Sequence, residues 1–460
     1  MAFKLNQNVN KGARIRKAMD IWAIGGYSEI GRNMTAVRVG GDVVVLDMGV
    51  WVEKLAAHED GNPYALPLNE LYQAEILPDD REFRKRWGKD VKAILISHAH
   101  LDHSAGVVRL APLYDAPVVG TPFTIEVIKN LLREGKGRFP NELVKVNPGS
   151  RYRISEDMWA EFIYATHSTP QTVMIALHTK EGTLLYANDF KFDPRPLLGK
   201  PMNMNRLRIL GEDGVKVLIT DTTRIDRPRK TFSESIEREM LREVLTMIEG
   251  EGKLLLITTF ASHIARVNTI VDLAEKIGRE PIILGRSMLN YIDAAEKVGI
   301  VRIRDRAKVA SRKRELKQIF RLIEREGRDK FLLITTGNQG EPNSILSKMA
   351  DDLLPFRFEK GDIVIFASET IPSPINMANR AELERKLKAK GVRIFKDVHV
   401  SGHASREDHR DFLKIIRPEH YVPTHGYIEK LASAISLAVE EGYELGRDAH
   451  LLQNGQVLSL

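Results

Sequence analysis

A chain of 460 residues is about three times a typical domain length, so two domains, one of them able to interrupt the other, is the starting expectation. With 43% hydrophobic and 28% charged residues it is neither disordered nor fibrous, and no run approaches the roughly 18 apolar residues of a membrane span. There is no cysteine, which excludes disulfides, a thiol nucleophile and thiolate metal ligands, so any metal must sit on His and Asp or Glu.

The net charge of +7 is unevenly placed: Arg302–Lys330 holds twelve basic and five acidic residues, an excess equal to that of the whole chain. The first 17 residues add five positive charges and no acid. Clustered Lys and Arg are the footprint of a phosphate-backbone binder, although a solvated helix face laced with ion pairs is the ordinary alternative. Met1 to Arg16 is polar and has no apolar core. That argues against a secretory signal and, with the missing cysteines, for the cytoplasm.

In chain order, short apolar and β-branched runs predict strands at Ile21–Ile24, Thr35–Val39, Val43–Leu46, Ala93–Ile96, Ala160–Ala165, Thr172–Leu177 and Thr183–Tyr186. Helices are expected at Ser104–Tyr114, capped by Ser104, and at Pro122–Arg133. From about residue 215 the rhythm becomes strict alternation. Strands Val215–Thr220, Lys253–Thr259, Pro281–Leu284, Phe331–Thr336 and Asp362–Phe366 are followed by helices Ser233–Glu249, Ser262–Ile277, Ser287–Val298, Ser344–Leu354 and Asn376–Lys390. Such alternation implies a parallel sheet. A strand at Val392–Val400, a helix at Arg406–Ile416 and a short strand at Tyr421–Val422 follow. A strand-rich domain interrupted by a parallel α/β domain is the expected architecture.

The strongest local signal is Ser97-His98-Ala99-His100-Leu101-Asp102-His103, between a buried-type strand and a helix. The carboxyl end of a strand is where ligands gather in open α/β sheets. Alternate positions on an extended segment point the same way, so His98 and His100 can reach one ion while Asp102 and His103 face another. Imidazole and carboxylate donors without sulfur suit zinc, manganese or iron. More candidates follow other strands: His167 after Phe162–Ala165, Asp189 after Leu184–Tyr186, and Asp47 after Val43–Leu46, placed to orient a ligand from behind. The glycine-rich stretch Gly26–Asn33 lacks the Lys-Ser/Thr pair of a nucleotide-binding loop, which excludes an NTPase.

His-x-His-x-Asp-His, preceded by Asp47 and followed by His167 and Asp189, resembles the metallo-β-lactamase superfamily. The resemblance implies an αββα sandwich with a dinuclear, usually zinc, site. It assigns His98, His100 and His167 to one ion, Asp102 and His103 to the other, and Asp189 to both. Three later features (Asp221 in Thr220-Asp221-Thr222-Thr223, Ser401-Gly402-His403-Ala404-Ser405, and Thr424-His425-Gly426) resemble the β-CASP nuclease branch. Within it, Ser-Gly-His-Ala-Ser resembles ribonuclease J, in a short archaeal type that stops about 35 residues after His425.

That resemblance implies a metallo-β-lactamase domain at 1–221 and 396–460 and a β-CASP domain at 222–395. It makes His425 the remaining ligand of the second ion and Asp102, Asp221 and His403 the catalytic groups, His403 being the general acid for the leaving 3′-oxygen. Ser401, Gly402, His403, Ala404 and Ser405 become candidate contacts for the phosphate oxygens. It further implies two Zn²⁺ per chain with Mn²⁺ or Mg²⁺ as alternative activators, 5′→3′ exonuclease action on 5′-monophosphorylated single-stranded RNA, sometimes joined by endonuclease activity, a homodimer, and association with other RNA-decay proteins. The rivals are an RNA 3′-end-processing endonuclease of the same branch and a small-molecule hydrolase of thioesterase type. Thr259–His263 and Gly285–Met288 resemble family stretches that line an interdomain groove, with Phe260 a candidate base-stacking ring, and the Thr335–Glu341 loop, which joins a strand to a helix, is a candidate oligonucleotide contact. His58, His178, His399, His420 and His450 are expected to be structural.

Overall fold

The computed structural model describes residues 19–56, 66–135, 138–248, 250–371 and 373–460, so the basic first 17 residues and His58 lie outside it. Two sheets stack face to face. The first has seven strands in the order Val457–Ser459, Met19–Gly25, Met34–Val39, Asp42–Leu46, Val91–Leu95, Val118–Gly120 and Leu143–Lys145. The second has six, in the order His420–Pro423, Val217–Thr220, Gly182–Ala187, Val173–Thr179, Met158–Tyr164 and Arg151–Arg153.

Side-chain alternation along the strands builds the layers. Val44 and Leu46 join Leu184, Tyr186 and Val217 between the two sheets. Val43 and Val45 face the opposite way, into the core under helix Pro122–Gly135, and Leu185 faces helices Met204–Asp213, Arg406–Ile416 and Ile428–Glu440. The result is the expected αββα sandwich.

The third sheet is wholly parallel, in the order Lys308–Ala310, Glu280–Leu284, Phe331–Thr335, Leu255–Thr258, Ile363–Phe366 and Arg393–Phe395. Helices Ile264–Lys276 and Arg286–Lys297 cover one face; Lys313–Glu326, Ile345–Ala350 and Pro374–Ala389 cover the other. The insertion is docked on the sandwich through buried contacts. Tyr291, on helix Arg286–Lys297, donates to the carbonyl of Ala99 at 3.1 Å, inside the histidine cluster. Arg266 is fully buried: its guanidinium grips Glu234 in two bonds of 2.9 and 3.0 Å, pairs with Glu237, and donates to the carbonyls of Ala367 and Val400.

Two local expectations fail. The helix expected to open at Ser104 is instead a turn at Leu101–Ser104 capped by His100, followed by Val107–Leu110. The amides of His103 and Ser104 both bond to the carbonyl of His100, and the Ser104 hydroxyl donates to it as well, so the chain curls inside the cluster. The strand expected over Val392–Val400 ends at Phe395. Beyond it the chain leaves the sheet edge, and Val400 spends its carbonyl on Arg266. Among the described residues no helix is long and apolar enough to cross a membrane.

Candidate metal centre

Strand register brings the scattered residues together. Leu46 pairs with Leu95 in parallel and the Asp47 amide bonds to the Leu95 carbonyl, so Asp47 and Ser97 emerge side by side. In the second sheet Ala187, Thr220 and Pro423 are parallel neighbours, so Asp189, Asp221 and His425 leave the same edge. The strand end after Asp47 passes against the cluster at Gly49, where a Cβ would lie 1.7 Å from the Asp102 carbonyl oxygen.

Two groups of side chains converge. In the first, His98 Nε2 and His167 Nε2 each lie 3.1 Å from His100 Nδ1, and 3.4 and 3.3 Å from Asp189 Oδ2. His100 Nδ1 is 3.9 Å from the same oxygen. In the second, Asp189 Oδ1 lies 3.4 Å from His103 Nε2 and 3.8 Å from His425 Nε2, while Asp102 Oδ2 is 3.7 and 3.6 Å from them. Asp189 thus turns one oxygen to each group.

The groups behind the ring nitrogens set their orientation. Asp47 accepts from the Ser97 amide and hydroxyl, from Tyr186 and from His103 Nδ1 at 2.8 Å, leaving His103 Nε2 to face the centre. The carbonyl of Gly402 receives His167 Nδ1 at 2.7 Å, and a Cβ on Gly402 would press to 3.1 Å from that ring. Asp47 and His425 both adopt left-handed backbone, with φ of 58° and 54°, a strain held at the site itself. Burial, then His103, pushes His98 well below its ordinary pKa, and burial pushes His167 to about 4. Both are neutral imidazoles with a lone pair to give. For His103 burial acts the same way, but Asp189, Asp102 and Asp47 overcome it and raise the pKa to about 10.

These residues fit metal ions. Four ligands at a zinc–nitrogen distance of about 2.0–2.1 Å in a tetrahedron lie about 3.3 Å apart, and the contacts above straddle that spacing. Asp189 Oδ1 is buried with no hydrogen-bond partner among the described residues, which is costly for a carboxylate unless a cation meets it. Nitrogen and oxygen donors without sulfur suit zinc or manganese.

Beside the pair, Asp221 Oδ2 lies 3.5 Å from His403 Nδ1, and the His403 ring packs 4.9 Å from that of His167. Burial disfavours His403 protonation, yet the carboxylates of Asp189 and Asp221 raise its pKa above the ordinary value. In the loop before it the Ser401 hydroxyl accepts from the His403 amide. Ala404 and Ser405 are buried, and Ser405 caps helix Arg406–Ile416 in a reciprocal box with Asp408 while its hydroxyl meets Thr231. Ser401, Gly402 and His403 are the part of this loop that stands at the site.

Asn33, Ser168 and Ser262 also stand at the site, Ser168 with its hydroxyl 3.3 Å from His100 Nε2 and from His167 Nε2; of these the sequence pointed only to Ser262, as part of the Thr259–His263 stretch. Asn33 is buried with its amide 2.8–3.0 Å from His425 Nδ1 and 3.1 Å from the Asp102 carbonyl. Its only signal was its place at the end of the glycine-rich stretch. Ser262, from the insertion, lies 3.0 Å from His100 Nε2, the nitrogen turned away from the centre. In the Thr335–Glu341 loop, the candidate oligonucleotide contact, Asn338 and Gln339 are buried, and Gln339 bridges to Glu369 and Ile371.

A sandwich whose facing strand ends converge two nitrogen–oxygen ligand groups defines a metallo-hydrolase of the metallo-β-lactamase superfamily, and residues 28–257 match that superfamily. Residues 252–383 match the Ribonuclease J beta-CASP domain and 391–446 the Zn-dependent metallo-hydrolase RNA specificity domain. The chain is 44% identical to the Ribonuclease J of Methanocaldococcus jannaschii, over 96% of its own length and 98% of the relative's. It is 40% identical to that of Pyrococcus abyssi, over 96% and 97%. The chain belongs to the ribonuclease J family. At the level of fold alone, a solved Enterococcus faecalis protein of unknown function superposes with a TM-score of 0.65 at 16% identity, covering 96% of this chain and all of that one.

Proposed function

We propose that the protein is a metal-dependent ribonuclease that degrades 5′-monophosphorylated single-stranded RNA in the 5′→3′ direction. Two zinc ions would be held, one by His98, His100 and His167, the other by Asp102, His103 and His425, with Asp189 shared. The observation that carries this is the division of the Asp189 carboxylate, one oxygen to each histidine group, with His403 and Asp221 beside it. Family membership selects RNA among the substrates the fold accepts.

When bound, the ions supply Lewis-acid stabilisation of the phosphate and activation of the attacking water. The protein's own part is positional. His403, with Nδ1 turned to Asp221 Oδ2 at 3.5 Å, offers Nε2 as the proton donor to the 3′-oxygen as the P–O3′ bond breaks, and the phosphate stays on the downstream strand as a new 5′ end. Ser401, the Gly402 backbone and His403 bound the space for the non-bridging oxygens, and Ala404 and Ser405 hold that loop in place. Supported by the same family resemblance, residues 1–221 and 396–460 form the metallo-β-lactamase body around a β-CASP insertion at 222–395. The enzyme acts as a cytoplasmic homodimer alongside other RNA-decay proteins, and Mn²⁺ or Mg²⁺ can replace zinc.

Incubation of 5′-labelled RNA with the metal-replete protein tests the polarity. Release of labelled mononucleotide from a 5′-monophosphate, and not from a 5′-triphosphate, supports it. Discrete internal products independent of the 5′ group would replace it with the endonuclease.

A further inference from the structure

The positive charge concentrated at Arg302–Lys330 resolves into paired and unpaired cations. Arg304 lies 3.2 Å from Glu296, Arg306 2.7 Å from Asp272, and Arg328 2.8 Å from Asp362. Lys313, Arg314, Lys317 and Arg321 are all exposed, and none has a carboxylate within 4 Å among the described residues. All four stand on one helix, Lys313–Glu326, and Arg314, Lys317 and Arg321 follow the i, i+3, i+7 spacing of a single face. At 1.5 Å per residue the four span about 12 Å.

The helix is fixed in this orientation. Leu316, Phe320 and Ile323 are buried against Phe331, Leu333 and Phe356, so the basic face is held toward solvent. The nearest acid on the helix, Glu315, is committed to the amides of Ser311 and Arg312 at 2.9 Å each, closing the amino end rather than neutralising the stripe. That amino end follows Ala310, which is paired with Leu284 at the carboxyl edge of the parallel sheet. The same edge carries Ser262, after strand Leu255–Thr258, to His100. The stripe therefore begins at the carboxyl edge of the sheet, the edge that reaches the metal centre, lies on the face opposite helix Arg286–Lys297, and leads away from that edge.

We propose that Lys313, Arg314, Lys317 and Arg321 bind the phosphate backbone of the RNA strand outside the metal centre, gripping it without regard to sequence. The proposal rests on the ribonuclease reading for the identity of its polyanion. A protein partner would need an apolar, aromatic-rich core in its contact, and the exposed neighbours here are Arg312, Gln318, Glu324, Arg325 and Glu326. A phosphate backbone needs only spaced cations whose counterion release drives binding.

The test compares the wild-type stripe with K313Q/R314Q/K317Q/R321Q, both in His403→Ala holoenzyme to slow turnover. Each is measured by fluorescence anisotropy across a salt series with 5′-phosphorylated RNAs of about 40 and about 5 nucleotides. For the long RNA the slope of log K against log salt should fall by about two to three, since each single-strand phosphate contact contributes about 0.7. Affinity for the short RNA should not change. A K313R/R314K/K317R/R321K variant, which keeps the charge, should behave as the wild-type stripe and shows that any loss is not unfolding. An unchanged slope for the long RNA, or equal weakening for both lengths, overturns the proposal. If the parent protein cut no RNA while the long-RNA slope still depended on the stripe, the ribonuclease reading would fail and the stripe would stand.

Discussion

The metal centre and the insertion's buried ion network are made of the same kinds of side chain, and they solve burial in opposite ways. Around Arg266, one guanidinium meets Glu234 and Glu237, and every remaining guanidinium donor finds a carbonyl or a histidine, which leaves only Glu237 Oε1 of these two carboxylates without a hydrogen-bond partner among the described residues. Around Asp189, imidazoles crowd within 3.1–3.9 Å of each other and of the carboxylate, while Asp189 Oδ1 and Asp221 Oδ2 lack hydrogen-bond partners among the same residues. A network built around its own buried cation is a clamp. A crowded and unsatisfied one is a receptor for cations.

The largest effect that would break this contrast is Asp189→Ala. It should lower turnover by about three orders of magnitude or more, because both ligand groups lose their shared oxygen. Metal analysis by mass spectrometry should show fewer ions per chain, and full occupancy would contradict the sharing. His403→Ala comes next, lowering kcat about 10²–10⁴-fold at unchanged metal content, as expected for a proton donor. In the insertion, Arg266→Met should cost about 3–5 kcal/mol in urea unfolding by removing the guanidinium that Glu234 and Glu237 share, with the ions retained.

Ser262→Ala joins the two regions. It should weaken metal affinity by up to about tenfold in a chelator competition, because His100 loses the nearer of the two hydroxyls on its outer nitrogen, Ser262 at 3.0 Å, and keeps Ser168 at 3.3 Å. Smallest is an acid-limb effect at a peripheral pair. Despite burial, His178 and Arg206 pull the Glu161 pKa down to about 2 from the ordinary 4.5. A lowered folded pKa means stability that is present above about pH 4.5 and lost as pH falls toward 2. In Glu161→Gln that part of the melting-temperature profile should flatten relative to the wild type.

The parts of the fold that rest on local pattern were legible. The alternation of strand and helix after residue 215 is written in hydrophobic periodicity, and the structure contains the corresponding parallel sheet. The strands Lys308–Ala310, Val118–Gly120 and Leu143–Lys145 were missed because three residues carry no period of their own. The turn inside the histidine cluster was misplaced because Ser104 looks like a cap, whereas the chain curls three residues earlier to turn Asp102 and His103 inward.

The candidate ligands were legible for a chemical reason: three histidines and an aspartate within six residues have few uses other than metal. Asn33 and Ser168 were not legible as site residues, since an amide or a hydroxyl in a loop fits countless turns.

The sequence by itself determined the donor chemistry, the strand–helix alternation of the insertion and the excess of charge near residue 320, because these follow from residue type and spacing along the chain. Only the tertiary structure decided that Asp189 splits its oxygens, that the insertion touches His100 through Ser262, and that four cations on one helix stand unpaired. Each of those depends on distances between residues 22 to 236 positions apart or on which face of a helix the core claims, and packing alone sets both.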